Sequence, residues 1–467
     1  MKYIIFTCDG YGLPIAHHLL QEGNEVIVGQ VINKKTTLTK VESRSNNEES
    51  ALDQKRRLNL YKNMIEKVPA DVLVRRMKRI KNPEDYFVFF DFNDLFYYAD
   101  QVQGLGFNGN FPNENDRIFE VDRDAAKEFV YKYYPDLEIT EKKEFRAISG
   151  AKKFLKDSNK VWVVKSKGHY GQTLIPQTKD PELAKWQVIE TLEAFKSAYE
   201  EAGFLLEEKI PAVIEVTPEK IYYDGVPIAL TVNFENKTLG SGNLSLQTSC
   251  SADLVFPVEF GSRIDQIAFP PIVDKIAKKH KGLFFWDASL LINQDDGRIY
   301  FGEFCPNRPG FNSTFTCLSQ MQSVSHFFKS IVAKKSPYTV GTVGASVSLF
   351  NLSRDPEERH VLSGASISFP EDIQRSVWLY DVYKKTKNDK VRVVGFDWEL
   401  AAITSWGRTL DEAVGRLYEN VESFSIGTVY YRPKSDYLSM DYESSILNRL
   451  RYCAQKRLFE IPFKGVY

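Results

Sequence analysis

Long apolar runs are absent from this sequence of 467 residues. No stretch reaches the roughly 18 apolar residues needed to span a bilayer, and residues 1–31 lack the basic leader and cleavage site of a signal peptide. The five cysteines are odd in number and show no paired CxxC spacing, so neither a disulfide framework nor a zinc site is indicated. We therefore expect a cytoplasmic protein without a membrane partner.

The chain also has almost no net charge. The chain carries 61 Lys and Arg against 62 Asp and Glu, a formal net charge of -1. Bulk electrostatics thus gives no attraction to nucleic acid, and an anionic ligand must be held by a local arrangement of side chains. Apolar residues at 43% and aromatic residues at 13% are typical of a folded chain, and the length predicts two to four domains.

The first part of the chain has the pattern of a small α/β domain. Residues 3–7, 13–21 and 25–31 predict strand, helix and strand, the opening of a parallel βαβ unit. Residues 58–68 suggest a helix, and residues 86–92 suggest a buried strand. These elements predict an N-terminal α/β domain over residues 1–110.

The rest of the chain mixes helices and strands. In the second predicted domain, residues 111–335, we expect a helix over 122–133, a helix over 181–201 and a hairpin around Asp224-Gly225. The third, residues 336–467, is an α+β segment with predicted strands at 344–351 and 392–404. The overall fold class is thus α/β and α+β.

A strand that ends in lysine is the first candidate site. Residues 161–165 form an apolar strand that ends in Lys165 and runs into Ser166-Lys167-Gly168-His169-Tyr170-Gly171. Such a lysine and a glycine-containing loop can place an ammonium group and backbone N–H groups around a polyphosphate. The Walker pattern is absent. The alternative is a lysine that ends a buried strand before a glycine turn.

The extended stretch Glu207-Glu208-Lys209 follows about forty residues later. A narrow apolar slot beside it could offer a donor and an acceptor to an adenine edge. The alternative is a strand with a solvated charged face. Arg123, which opens a predicted helix, could face the same phosphates or form a surface ion pair with Asp122 or Glu120.

A predicted hairpin carries the most specific signal. Its strands, residues 284–292 and 299–304, can bring Asp287 and Glu303 side by side, with Asn307 as a neutral oxygen donor and Arg308 as a fixed positive charge. Hard oxygen ligands of this kind hold Mg²⁺ against nucleotide phosphates. The alternative is a salt-bridged hairpin. An acidic residue in so apolar a strand must be compensated, which favours function.

In sequence order, these pieces resemble the ATP-grasp superfamily, and within it the phosphoribosylamine-glycine ligases of purine biosynthesis. The similarity covers nearly the whole chain. It rests on segments in the order that the family has them: Asp9-Gly10-Tyr11-Gly12, residues 120–129, the Val-Val-Lys strand ending at Lys165, Glu207-Glu208-Lys209, Glu303 and residues 401–413.

The resemblance implies an ATP-grasp fold, with an N-terminal Rossmann-like pre-ATP-grasp domain and a C-terminal α+β domain. It implies ATP and Mg²⁺ (or Mn²⁺) as cofactors. Arg123 and Lys165 would hold the ATP phosphates, Glu303 would bind the metal and Glu215 the ribose hydroxyls. The remaining nucleotide contacts would come from Lys167, Gly168, Gly171, Glu207, Glu208 and Lys209. Lys165 and Arg308 are the predicted catalytic residues.

Four segments depart from the ligase pattern, and one of them is the phosphate loop at residues 167–171, which lacks the family's Gly-Lys-Gly-Val ending. The N-terminal loop reads Gly10-Tyr11-Gly12-Leu13-Pro14 in place of Gly-Gly-Arg-Glu-His, and residues 242–248 replace Asn-Thr-Gly-Gly-Met-Gly. The metal motif Glu-x-Asn becomes Glu303-Phe304-Cys305-Pro306-Asn307, which leaves either Asn307 or Cys305 at the ligand position. In the family, the N-terminal loop and the segment at residues 242–248 would determine which substrates bind.

The predicted function is ATP-dependent ligation of a small-molecule carboxylate to an amine through an acyl phosphate, by a monomer or homodimer. Two alternatives stay open: phosphoribosylamine-glycine ligase activity itself, and a nucleotide-binding sensor that has lost turnover. A dinucleotide-dependent oxidoreductase is disfavoured because Ile15 occupies the third glycine position of G-x-G-x-x-G.

Overall fold

The computed structural model describes most of the chain. Its described residues are 1–32, 50–166, 174–176, 178, 180–210, 213–241, 244–310, 318, 323–339, 341–351, 362–427, 429–440 and 445–466. The predicted loop residues Lys167, Gly168, His169 and Gly171 lie outside them. Within these ranges, none of the helices combines the length and the apolar character that a bilayer crossing demands.

The N-terminal segment forms a five-stranded parallel sheet in the order β3-β2-β1-β4-β5, as the βαβ pattern predicts. Its strands are β1 (Lys2–Thr7), β2 (Val26–Gln30), β3 (Lys67–Pro69), β4 (Tyr86–Phe90) and β5 (Asn108–Gly109). The helices of this segment are α1 (Leu13–Gln21), α2 (Ala51–Asn59), α3 (Ala70–Met77) and α4 (Phe96–Val102).

The loop after β1 has a conformation that only glycine accommodates. Gly10 has a φ of +99°, in the left-handed region that L side chains avoid. The backbone N–H of Gly12 donates to Asp91 Oδ2 at 2.7 Å. A Cβ at Gly12 would lie 2.9 Å from Ile5 Cγ2. The two glycines therefore fix the position of Tyr11 between them.

A small antiparallel sheet, in the order β6-β8-β7, has a hydrophobic core of its own. Its strands are β6 (Lys142–Phe145), β7 (Trp162–Ser166) and β8 (Phe204–Glu208). The helices α7 (Ile148–Asp157), α8 (Pro181–Ala194) and α9 (Lys196–Ala202) accompany it. Two helices thus replace the single helix predicted over residues 181–201, with Phe195 between them at φ -114° and ψ 30°.

The largest sheet has eight antiparallel strands in the order β13-β12-β9-β10-β11-β14-β18-β15. Its first five strands in the chain are β9 (Val213–Tyr223), β10 (Val226–Gly240), β11 (Leu244–Pro257), β12 (Leu283–Asn293) and β13 (Ile299–Phe304). The other three are β14 (Val343–Phe350), β15 (Val377–Leu379) and β18 (Glu399–Gly407). This sheet continues across position 335, and the predicted domain limits at 110 and 335 stay predictions.

The remaining elements surround this sheet. A two-stranded ladder joins β16 (Val382–Tyr383) to β17 (Arg392–Val393). The remaining helices are α5 (Glu114–Val121), α6 (Arg123–Tyr133), α10 (Arg263–Ala268), α11 (Pro271–Ala277), α12 (Val324–Val332), α13 (Leu410–Ser423), α14 (Ser435–Leu438) and α15 (Ile446–Gln455). One hydrophobic core runs from the N-terminal segment through the large sheet to the C-terminal helices.

Candidate active site

Four predicted residues meet in a small cavity of about 20 Å³, which we call the cleft. Arg123 enters it as the first residue of α6, because Asp122 caps this helix by accepting hydrogen bonds from the backbone N–H groups of Asp124 and Ala125. The cleft is lined by Phe119, Glu120, Arg123, Ala126, Lys127, Lys165, Glu207, Phe301, Gly302 and Glu303.

Glu207 is the centre of a charged network in the cleft. Its carboxylate accepts hydrogen bonds from Lys165 Nζ, from Lys127 Nζ at 2.9 Å and from Thr140 Oγ1 at 2.5 Å. Burial alone would raise the pKa of Glu207, but the two ammonium groups outweigh it and hold the pKa at about 2. Glu207 is therefore ionised and balances the lysines of the cleft.

Glu208 and Lys209 do not line the cleft. Successive side chains of a strand point to opposite faces, and Glu208 accordingly pairs with Lys160 Nζ at 2.8 Å. Lys209 Nζ donates to the backbone oxygen of Pro176. The structure thus brings only Glu207 of the three to Arg123 and Lys165, and the adenine role of the stretch stays a prediction.

A second cavity, of about 360 Å³, adjoins the first, because Glu303 lines both. We call it the chamber. Its wall comes from the loop after β1, from the large sheet and from segments near β15 and β18. The lining residues are Tyr11, Glu215, Thr217, Glu235, Lys237, Thr248, Ser249, Cys250, Asp287, Ser289, Glu303, Cys305, Arg308, Pro309, Gly310, Tyr380 and Glu399.

Lys237 is surrounded by carboxylates in this chamber. Its ammonium lies 2.6 Å from Glu235 Oε2 and 3.7 Å from Glu215 Oε1. Burial would lower the pKa of Lys237, but Glu215 and Glu235 outweigh it and hold the pKa well above its usual value. Glu215 also accepts a hydrogen bond of 2.8 Å from Ser289 Oγ. The structure therefore places Glu215 in the chamber, and its ribose contact stays a prediction.

The hairpin of β12 and β13 carries the predicted acidic pair. Ser289, and not Asp287, lies directly opposite Glu303 in the strand register, and Asp287 comes two residues before Ser289 in β12. On its other side, Asp287 is opposite Glu219 of β9. Burial, reinforced by the charges of Glu219 and Glu235, raises the pKa of Asp287 well above its usual value. Burial likewise raises the pKa of Glu219 to about 8.

This surplus of carboxylates fits a divalent cation, since a bound cation offsets the repulsion that raises these pKa values. In the described ranges, no three His, Cys, Asp or Glu side chains form a metal cage by themselves. Mg²⁺ needs no such cage, because one or two carboxylates and substrate phosphates complete its shell. The carboxylate oxygens of Asp287 and Glu303 are therefore chemically suitable ligands for Mg²⁺.

The two candidates for the remaining ligand position differ in their surroundings, and the metal ligand itself stays a prediction. Cys305 lines the chamber, whereas Asn307 does not. Asn307 is fully buried, and neither atom of its side-chain amide has a hydrogen-bond partner within the described chain. Burial raises the pKa of the Cys305 thiol well above its usual value, and Mg²⁺ prefers oxygen ligands. Cys305 therefore leaves this part of the wall without a good magnesium ligand.

Arg308 lines the chamber in a fixed orientation. It forms an ion pair with Glu120, and its guanidinium carbon lies 4.3 Å from the centre of the Phe92 ring. Asn93 Nδ2 donates to the other carboxylate oxygen of Glu120 at 2.7 Å. Glu120 also lines the cleft, so this ion pair connects the walls of the two cavities.

Sequence reasoning missed several residues of these walls. Lys127 was predicted only as part of a family segment, and Glu120 only there and as an ion-pair partner of Arg123. The chamber residues Glu235 and Lys237 were not predicted at all, nor was the neighbouring Glu219, which lines neither cavity. A signal for these residues exists: polar or charged residues recur at every second position, as Glu215, Thr217, Glu219 in β9 and Asn233, Glu235, Lys237 in β10. Such alternation inside long strands indicates one polar sheet face.

No protein-family model matches the sequence, and no curated protein matches it either. Solved structures do match. A phosphoribosylamine-glycine ligase from Thermotoga maritima is 16% identical, with a TM-score of 0.62, and the match covers 92% of this chain and 99% of that one. A biotin carboxylase from Campylobacter jejuni, solved as a beta-gamma-ATP complex, is 13% identical, with a TM-score of 0.55 and 92% coverage of both chains.

A third match is the biotin carboxylase domain dimer of Hydrogenobacter thermophilus 2-oxoglutarate carboxylase, solved with MgADP, ADP and bicarbonate. It is 13% identical, with a TM-score of 0.52, and the match covers 92% of this chain and 91% of that one. Identities this low establish the shared fold alone.

Proposed function

This chain has the ATP-grasp fold, and we propose that it is a ligase that uses ATP to join a carboxylate to an amine. One observation carries the proposal: Glu303 lines both the cationic cleft and the acidic chamber. The cleft supplies positive charge for phosphates from Arg123, Lys127 and Lys165. The chamber has room for small substrates, and the reacting phosphoryl group would lie where the two cavities adjoin.

The reaction would proceed in two steps. A carboxylate oxygen attacks the γ-phosphorus of ATP, the bond from phosphorus to the bridging oxygen breaks, and ADP leaves. The amine nitrogen then attacks the carbonyl carbon of the acyl phosphate, inorganic phosphate leaves and the nitrogen loses a proton. An amide or related C–N bond results.

The residues of this chain would act mainly by position and charge, as in other phosphoryl transfers. Lys165 and Arg123 hold the phosphates from the side of the cleft. Arg308, fixed by Glu120 and Phe92, orients the anionic groups from the side of the chamber. Asp287 and Glu303 would hold Mg²⁺, which offsets charge on the phosphates when it is bound.

The cleft must open to admit a nucleotide, because a cavity of about 20 Å³ holds little more than one water molecule. The three-stranded sheet has its own core, so it can move as a unit away from β13. Opening would separate Lys165 and Glu207 from Glu303 and admit the nucleotide. Closing would cover the phosphates again and protect an acyl phosphate from water.

The test is ATP turnover against a matrix of carboxylic acids and amines, with ADP measured and the product identified by mass spectrometry. We expect ADP formation that depends on one acid and one amine, with a product mass equal to their sum less one water. Binding of ATP, seen as a rise in Tm, without ADP formation for any pair would contradict the proposal and favour a nucleotide-binding protein without turnover.

A further inference from the structure

Two aromatic rings and one carboxylate form part of the chamber wall that the phosphate chemistry does not use. Tyr11 comes from the loop after β1, Tyr380 follows β15, and Glu399 begins β18. The ring centres of the two tyrosines lie 6.4 Å apart, and the rings meet edge to face at 76°. Together we call these three side chains the tyrosine corner of the chamber.

Glu399 is buried in this corner and incompletely satisfied. Its side chain is 8% exposed, and within the described residues no group donates a hydrogen bond to Oε1. Ser348 and Ser249 donate hydrogen bonds to this carboxylate, but burial outweighs them and raises its pKa to about 8, so a bound cation would offset the cost of its charge. Burial and then the charge of Glu399 raise the pKa of Tyr380, whereas for Tyr11 burial comes first and Asp397 and Asp9 contribute before Glu399. A buried carboxylate oxygen without a donor is costly unless a ligand supplies one.

The charges of the whole chamber indicate that the ligand which donates to Glu399 is a cation. Five carboxylates line it, Glu215, Glu235, Asp287, Glu303 and Glu399, and the lining residues include only two cations, Lys237 and Arg308. Both cations already form ion pairs. Carboxylates thus outnumber cations in the described wall, and a phosphate group on the amine would add to this negative charge.

Aromatic faces complete the argument. A cation beside tyrosine rings is attracted by their negative faces, and the attraction strengthens when water is excluded. Two tyrosine rings and a carboxylate with one oxygen that lacks a donor thus provide a binding position for an ammonium or guanidinium group. The glycines on both sides of Tyr11 hold one of the two rings in place.

We propose that Tyr11, Tyr380 and Glu399 bind a non-reacting ammonium or guanidinium group of the amine substrate, which is therefore a small basic compound without a phosphate. This inference rests on the proposed ligase function, because only that function makes the ligand a substrate. The second, reacting nitrogen of the compound would lie toward Glu303.

The experiment is isothermal titration calorimetry on the full chain with three probes of similar size: putrescine, which carries two ammonium groups; 1,4-butanediol, its neutral counterpart; and O-phosphoethanolamine. We expect putrescine to bind at least about tenfold more tightly than the other two. Glu399→Gln, which keeps size and most hydrogen bonds, should weaken putrescine binding by about tenfold or more and leave butanediol unchanged.

Two variants keep the result interpretable. Tyr380→Leu removes one ring at a second position and should also weaken putrescine binding. Glu422→Gln, on the exposed surface of α13, is the matched control and should have no effect. Tighter binding of phosphoethanolamine than of putrescine would overturn the proposal. Unchanged putrescine affinity in a folded Glu399→Gln variant, judged by its Tm, would overturn it as well.

The outcomes also separate this inference from the proposed function. Putrescine binding that depends on Glu399, together with no ADP formation for any substrate pair, would support the cation pocket and reject the ligase. ADP formation with a phosphorylated amine, and no binding of putrescine, would support the ligase and reject the cation pocket.

Discussion

Lys165 on β7 and Glu207 on β8 form an ion pair between neighbouring strands, although 42 positions separate them in the sequence. Their backbones are not directly opposite: Glu207 faces Val163, and Lys165 faces Leu205. The diagonal contact places the ammonium of Lys165 in the cleft, within the field of Arg123. The pair neutralises the lysine in the absence of a nucleotide, and in the proposed function it positions a cation for the phosphates.

Because the ammonium of Lys165 lies in the cleft, we predict that Lys165→Ala removes most of the ATP turnover. The loss of one preorganised cation at a transferring phosphoryl group costs about 100- to 1000-fold in kcat. Glu303→Gln should have a similar effect, because Glu303 lines both cavities. ADP release measures both, and circular dichroism should show an intact fold.

Lys160→Ala is the matched control for this experiment. Lys160 also pairs with a β8 carboxylate, that of Glu208, but it does not line either cavity. Its removal should leave kcat within about twofold, since half-exposed ion pairs contribute little. Turnover retained in both Lys165→Ala and Glu303→Gln would show that the site has been assigned wrongly.

A second prediction concerns the metal. Asp287→Asn should raise the Mg²⁺ concentration for half-maximal ADP formation by at least about tenfold, because it removes a charged oxygen ligand. Asp296→Asn, in the exposed turn of the same hairpin, should not change that concentration, because Asp296 pairs with Arg298 outside the chamber. Equal Mg²⁺ dependence in the two variants would contradict the role of Asp287.

A third prediction follows from the raised pKa of Glu219. Its carboxyl group has a pKa near 4.3 when exposed in the unfolded chain and about 8 in the folded chain. The folded state therefore binds the extra proton between these values, and stability decreases as the pH rises from about 4.5 to 8. Glu219→Gln removes this penalty and should raise Tm at pH 8 more than at pH 5.

Thermal scans of both proteins at pH 5, 6.5 and 8, without metal or nucleotide, measure the effect. Glu422→Gln is again the control, because its exposed side chain should give the same Tm as the unaltered protein at every pH. A Glu219→Gln variant whose Tm differs from the unaltered protein by the same amount at all three pH values would refute the linkage.

A fourth prediction concerns Lys237, which balances two carboxylates of the chamber. Lys237→Met leaves Glu215 and Glu235 without their cation. We expect a loss of about 2 kcal/mol in the free energy of unfolding at pH 7.5, less than the roughly 3–5 kcal/mol typical of a fully buried pair, because Lys237 is one-third exposed. Urea unfolding measures the loss.

The double variant Lys237→Met/Glu235→Leu provides the internal test. Removing the second charge should recover part of the lost stability, since replacing both partners of an ion pair costs less than removing one. The loss in the free energy of unfolding is also measured for Glu235→Leu alone. If the loss in the double variant equals the sum of the losses in Lys237→Met and Glu235→Leu, the ion pair contributes nothing and packing alone explains the loss.

Several elements could be predicted because their signals are local. The helix α1 begins and ends where its pattern places it, and the hairpin of β12 and β13 follows from apolar runs on both sides of a polar turn. The resemblance to ATP-grasp proteins, drawn from ordered segments, is confirmed at the level of the fold. Local periodicity sufficed in these cases, because each element satisfies its own backbone.

The errors arose where tertiary contacts override a local pattern. The strand predicted over residues 392–404 is interrupted, because Gly395 has a φ of +84° and Asp381 accepts hydrogen bonds from the backbone N–H groups of Gly395 and Phe396. Of the helix predicted over residues 58–68, only residues 58–59 are helical, as the end of α2, because Tyr61 and Asn63 adopt positive φ values and β3 follows at Lys67–Pro69. Gly395 is itself a local signal of an interruption, but the hydrogen bonds to Asp381 are not visible in the neighbouring sequence.

The sequence by itself determined which chemical groups this protein has and which strand or helix carries each of them. Lys165 at the end of an apolar strand and two acidic residues on one hairpin are properties of short segments. Only the tertiary structure decided that Tyr11, Tyr380 and Glu399, up to 388 positions apart, share one wall with Lys237. Strand alternation tells which residues share a face, but the order of the strands in the sheet decides what lies opposite them.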